Sequence, residues 1–143
     1  MLSSRTLLIA IGLCVFGVSL SIAAPMPVAG VFVYSSLCRG SEDLHGVEIV
    51  LMREPTGTIA VYTRTEGAVL EPLLAYGPDV KIDDSTGHIH MRFVDPAFEK
   101  DGIYLFEGVV SDDAMDVTSA GYVGRLRLPR RRTFEATLRA CRW

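Results

Sequence analysis

The sequence predicts an all-β domain, a small antiparallel β-barrel or sandwich of about 7–9 short strands, and leans to a short helix at the C-terminus. Three observations predict it. Runs rich in Val, Ile, Tyr, Phe and Thr alternate apolar with polar residues, as a strand with one buried face requires. Clusters of Gly, Pro, Asp and Ser break those runs about every 8–12 residues. Apolar residues at helical spacing are scarce once the N-terminal segment has passed.

That segment, residues 1–23, has the pattern of a secretory signal peptide. Arg5 is its one charge, Leu7 to Leu20 is apolar, and Ser21, Ile22 and Ala23 form a small-residue site. Cleavage before Ala24 avoids cutting directly ahead of Pro25. The alternative is a retained anchor, since about 20 apolar residues span a bilayer. Gly12 and Gly17 inside the run, and Pro25 and Pro27 closing it, favour cleavage. Leu13 before Cys14, with apolar sequence after it, speaks against a lipidated cysteine. The expectation is one exported domain, residues 24–143, periplasmic or secreted, with no transmembrane segment left after cleavage.

Val28 to Ser36 is β-branched and aromatic and reads as the first strand. Cys38 to Gly46 is polar and glycine-bounded and reads as a loop. Val47, Ile49 and Leu51 alternate with Glu48 in a strand ending near Arg53. Glu54-Pro55-Thr56-Gly57 has turn chemistry, and Thr58 to Thr65 returns as the partner strand. There Ile59 and Val61 share one face, Tyr62 and Arg64 the other. Pro72 makes Ala68 to Tyr76 an irregular or edge segment. Val80 to Asp83 is a short strand ending in the Asp83–Gly87 turn. His88 to Val94 alternates strictly, with Ile89, Met91 and Phe93 against His88, His90 and Arg92. Asp95 to Gly102 is a loop, and Ile103 to Val110 an apolar strand with Ile103 and Leu105 assigned inward. Phe106-Glu107-Gly108-Val109-Val110, followed by an acidic turn, resembles hairpins of small up-and-down barrels. Met115 to Ser119 pairs back, and Gly121 to Leu128 follows with Leu126 and Leu128 inward, Arg125 and Arg127 outward. Thr133 to Cys141 fits a strand or a helix; its Glu-Ala-Thr-Leu-Arg-Ala content tips it toward a short helix.

Length and charge set bounds on function. About 120 mature residues make one domain able to bury a real core. The net charge of −3 becomes −4 once Arg5 leaves. A mildly acidic chain argues against nucleic acid, whose phosphates call for a concentrated basic face. Asn and Gln are absent and Arg outnumbers Lys twelve to two, a bias that tracks GC-rich genomes and points to a bacterial exported protein. Without Cys14 two cysteines remain, Cys38 and Cys141, which in an oxidising compartment pair most simply with each other.

Among chemical motifs, His88-Ile89-His90 is the sharpest. Residues two apart on a strand share a face, so both imidazoles could close on one Zn or Cu, with His45 or Glu48 as third ligand. Arg92 continues the same face and would oppose a metal cation. Glu42-Asp43, Asp83-Asp84 and Asp112-Asp113 sit beside turns, where Asp bonds the local backbone. No G-x-S-x-G elbow and no Gly-rich phosphate loop occurs. Arg125, Arg127 and the run Arg130-Arg131-Arg132 make the C-terminal third locally basic. Together these point to a non-enzymatic binding module for a protein partner or a small apolar ligand, needing no cofactor. Its candidate binding residues are His88, His90, Arg92, Arg125 and Arg127, with the loop from Arg39 to His45 as a further surface. A small metal-binding protein or metal-dependent hydrolase built on His88, His90 and His45 is the alternative.

Overall fold

The computed structural model describes residues 24–40, 43–69, 72–97, 102–120, 124–132 and 139–141. The expected signal peptide lies outside these residues, as does residues 133–138 of the expected C-terminal helix. The fold is a nearly closed antiparallel barrel of nine strands. Its strands are β1 (Gly30–Ser35), β3 (Leu44–Glu54), β4 (Gly57–Glu66), β6 (Leu73–Tyr76), β7 (Val80–Ile82), β8 (His88–Val94), β9 (Ile103–Val110), β10 (Ala114–Ala120) and β11 (Gly124–Arg131). Three two-residue strands, β2 (Cys38–Arg39), β5 (Ala68–Val69) and β12 (Arg139–Ala140), extend it.

Consecutive strands pair as a meander, which is what short turns between alternating runs produce. The wall closes because β11 returns to β1, placing Val33 opposite Arg131 and Tyr34 opposite Arg130. The seam lies where β6 leaves β4, turns through the 3-10 segment Gly77–Asp79 and continues as β7 beside β8. Pro78 has no N–H to give a ladder, so the pairing changes partner there.

Alternation decides what faces inward. Phe32, Tyr34, Ile49, Leu51, Ala60 and Tyr62 fill one half of the interior, with at most 3% of each exposed. Ile89, Met91, Phe93, Phe106, Met115, Val117 and Leu128 fill the other and are at most 1% exposed. Four rings meet at one end: Tyr62 lies 5.5 Å from Phe93, 5.8 Å from Tyr104 and 5.1 Å from Phe106, centroid to centroid. At Gly108 on β9 a Cβ would stand 2.0 Å from the Asp116 carbonyl oxygen, so only glycine lets β9 and β10 approach this closely.

Several elements differ from the sequence reading. In β9 it is Phe106 and Val110 that face inward, while Ile103 is exposed and Leu105 half-buried. The run Ile103–Phe106 is apolar at every position, so it carries no period of its own; pairing of Phe93 with Tyr104 and Met91 with Phe106 sets the facing. The loop after Cys38 is short, since β3 starts at Leu44 and β2 already pairs with it. The strand expected from Gly121 to Leu128 is Gly124–Arg131. At the C-terminus Arg139–Ala140 is a strand, parallel to Cys38–Arg39, where a helix was expected. Cys38 and Cys141 stand there at disulfide distance, their Cα atoms 5.0 Å apart.

The two ends of the barrel differ. At one, residues 24–29 fold against the opening. Met26 is buried beneath the Tyr34 hydroxyl, and the Asp112 N–H donates to the Ala24 carbonyl at 3.0 Å. Arg53, buried and inward-facing, donates to the Pro27 carbonyl at 2.8 Å and to Asp84 at 2.5 Å. At the other end lie the aromatic cluster and an ion pair between Arg64 and Glu66.

Candidate functional site

The outer wall is the surface on which the candidate binding residues come together. Hairpin register places His90, Glu107, Thr118 and Arg125 in one rank across β8 to β11. A second rank holds His88, Val109, Asp116 and Arg127. The histidines and the two arginines, 35 or more residues apart in sequence, therefore share one outer face.

That face is charge-compensated. His90 Nδ1 lies 3.1 Å from Glu107 Oε1, Arg127 donates to Asp116 at 2.8 Å, and Arg92 reaches Asp79 at 3.5 Å. Exposed pairs of this kind contribute little stability, but they leave no concentrated field of one sign. The arginine run is likewise divided among carboxylates. Arg130 turns inward to Asp112 and lies 4.8 Å over the Phe32 ring. Arg131 stands 3.5 Å from Glu48, and Arg132 bridges Asp112 at 2.8 Å and Asp113 at 2.7 Å.

His45 lies on β3, with Cys38 and Glu66 as its cross-strand partners, and is not brought to His88 and His90 on β8. Among the described residues no group of three or more His, Cys, Asp or Glu is placed to hold a metal ion. Asp83, by contrast, works locally. Asp83 Oδ1 accepts from the Ser85 hydroxyl at 2.6 Å and the Ser85 N–H at 2.9 Å, which lowers its pKa and fastens the turn.

The feature that sequence reasoning missed lies on the opposite half of the wall. Register puts Val31, Met52, Ile59 and Tyr76 in one outward rank across β1, β3, β4 and β6. The next rank is Val33, Val50, Val61 and Leu74. Val31, Ile59, Leu74 and Tyr76 are 64%, 43%, 59% and 68% exposed, and the other four are half-buried. Across these four strands neither rank contains a charge, and on β11 the second rank ends at Arg131, opposite Val33. The signal was in the sequence: Val47 to Met52 is apolar at five of six positions and Leu73 to Tyr76 at all four, so both faces of these strands are apolar. Only one face can enter a small barrel, and the other is left on the surface.

Among the described residues two buried hydroxyls lack a hydrogen-bond partner, Tyr62 Oη and Ser119 Oγ. Burial pushes the Tyr62 phenol up to about 12. Tyr34, also raised to about 12 by burial, does have partners: its hydroxyl donates to the Ser111 carbonyl at 2.8 Å and lies 3.1 Å from Met26 Sδ.

Two surfaces thus stand out on this barrel, a compensated charged half and an uncharged apolar half. Comparison of the chain with protein-family models, with curated proteins and with solved structures gives no match, so these two surfaces are what bears on function.

Proposed function

We propose that this chain is an exported, non-enzymatic β-barrel module that binds a protein partner through the apolar half of its outer wall. The observation carrying this reading is the outward double rank from Val31–Tyr76 and Val33–Leu74, contiguous across four strands. A patch of that kind on a soluble domain marks an interaction surface. An apolar ligand finds no comparable provision inside, where Ile49, Leu51, Ile89, Met91, Phe93 and Met115 are inaccessible and pack on one another. Barrels of about eight strands either fill with side chains in this way or hold one small ligand. Export rests on the signal-like residues 1–23 and on the docking of Ala24, the first residue after the expected cut, against Asp112.

A photoreactive phenylalanine analogue at Tyr76, and in a separate variant at Arg127, tests the reading in cells that export the protein. Protein adducts from position 76 and not from position 127 are expected. Adducts from position 127 alone, or from neither, would overturn it.

A further inference from the structure

We infer that the partner seated on the apolar face is a second copy of this chain, the two barrels meeting face to face as an isologous dimer. This rests on the protein-partner reading and names the partner.

Charge is the first argument. A two-fold axis sets a patch against a second copy of itself, so a patch rich in one sign faces that same sign. The two ranks between Val31 and Leu74 are uncharged throughout, and Glu48 at their border is paired with Arg131. The rest of the described wall suits this face poorly, because His90, Glu107, Asp116 and Arg127 would be desolvated against aliphatic groups. Among the described residues the other exposed large hydrophobics, Val28, Val94, Ile103 and Val109, form no rank of comparable extent, so the surface that best complements the apolar face is the same face on another copy.

Area is the second. The four exposed side chains and their four half-buried neighbours offer on the order of 500 Å² per copy, or about 1,000 Å² for the pair, where specific interfaces begin. The side chains stand on a four-stranded sheet, and sheets pack face to face at about 10 Å through such aliphatic ranks. An interface at this threshold is a reversible dimer, concentration-dependent rather than obligate.

A lipid surface suits the face less well. Its described borders carry Glu48, Thr63 and Glu54, and Arg131 opposite Val33; Arg131 is matched by Glu48 and Arg132 by Asp112 and Asp113, which leaves no uncompensated basic cluster to meet anionic headgroups. The charged ranks of β8 to β11 also stop the apolar band from encircling the barrel, as a membrane-spanning barrel requires.

Sedimentation velocity of the mature, oxidised protein over a concentration series is the test, with Leu74→Glu and Ile59→Lys as separate variants. A monomer–dimer equilibrium is expected for the unmodified protein. Each variant should weaken it at least tenfold while keeping the circular dichroism spectrum and melting temperature. A dimer that persists in both variants would place the contact elsewhere and overturn the inference. A monomer at every concentration would overturn it too, and the mass of the adducts from position 76 then separates the two readings. Adducts with a different protein would leave the protein-partner reading standing, whereas no adducts would overturn both.

Discussion

Tyr34 and Tyr62 flank the same core residue, Ile49, but send their hydroxyls to opposite ends of the interior. Both are buried, and among the described residues only Tyr34 finds hydrogen-bond partners. A satisfied buried hydroxyl contributes about 1 kcal/mol, while an unsatisfied one carries only its desolvation penalty. Tyr34→Phe should therefore destabilise the fold by about 1 kcal/mol, and Tyr62→Phe should leave it unchanged or raise its stability. Urea melts of the two variants check this, and equal losses would contradict the assignment. Neither role was legible in the sequence, where both residues are simply aromatic positions in apolar strands. What separates them is Ser111, 77 residues from Tyr34 and brought to it only by the closed barrel.

At the scale of the element, hairpins with polar turns were readable and strand facing was not always so. His88–Val94 alternates strictly and was assigned correctly at both ends and on both faces. Ile103–Val110 had the right bounds and the wrong face, because its own residues offer no contrast and its neighbours choose for it. Gly108 shows what such pairing demands. Its two cross-strand partners, Ile89 and Val117, are buried, and the β10 backbone stands where a Cβ would lie. Gly108→Ala should cost about 3 kcal/mol, since two backbones cannot yield as a side chain can. Thermal denaturation reads this directly, and a loss below 1 kcal/mol would mean that β9 and β10 separate easily.

Considered whole, the described residues form a filled barrel that is clasped near both ends of the described chain. Residues 24–29 cover one opening, and Cys141 lies against Cys38 after a separation of 103 residues. Such a filled interior has a consequence at high pH. Burial raises both Tyr34 and Tyr62 to about 12, against 10.0 for an ordinary phenol. The folded state thus holds these protons more tightly than the unfolded chain does. The stability they confer is complete below pH 10 and is lost as pH rises toward 12. Because the phenols lie inside one core, they should ionise with cooperative opening of the barrel. Tyrosinate absorbance and far-UV circular dichroism are expected to show coincident transitions in that range. Ionisation of all the tyrosines well before the loss of structure would contradict this.

The sequence by itself determined the β class, most strand bounds, the turns and the Cys38–Cys141 pairing. These depend on local alternation, on turn residues and on a parity of two cysteines. It also named His88, His90, Arg92, Arg125 and Arg127 as surface residues, and the strands carry them on one outer face. Only the tertiary structure decided that carboxylates from other strands neutralise most of that face, and that Ile59 and Val61 look outward while Tyr62 looks in. The physical reason is that a strand apolar on both faces has two equivalent ways to lie. Closure of the barrel, by bringing β11 back to β1, selects one of them and leaves the other apolar face on the surface.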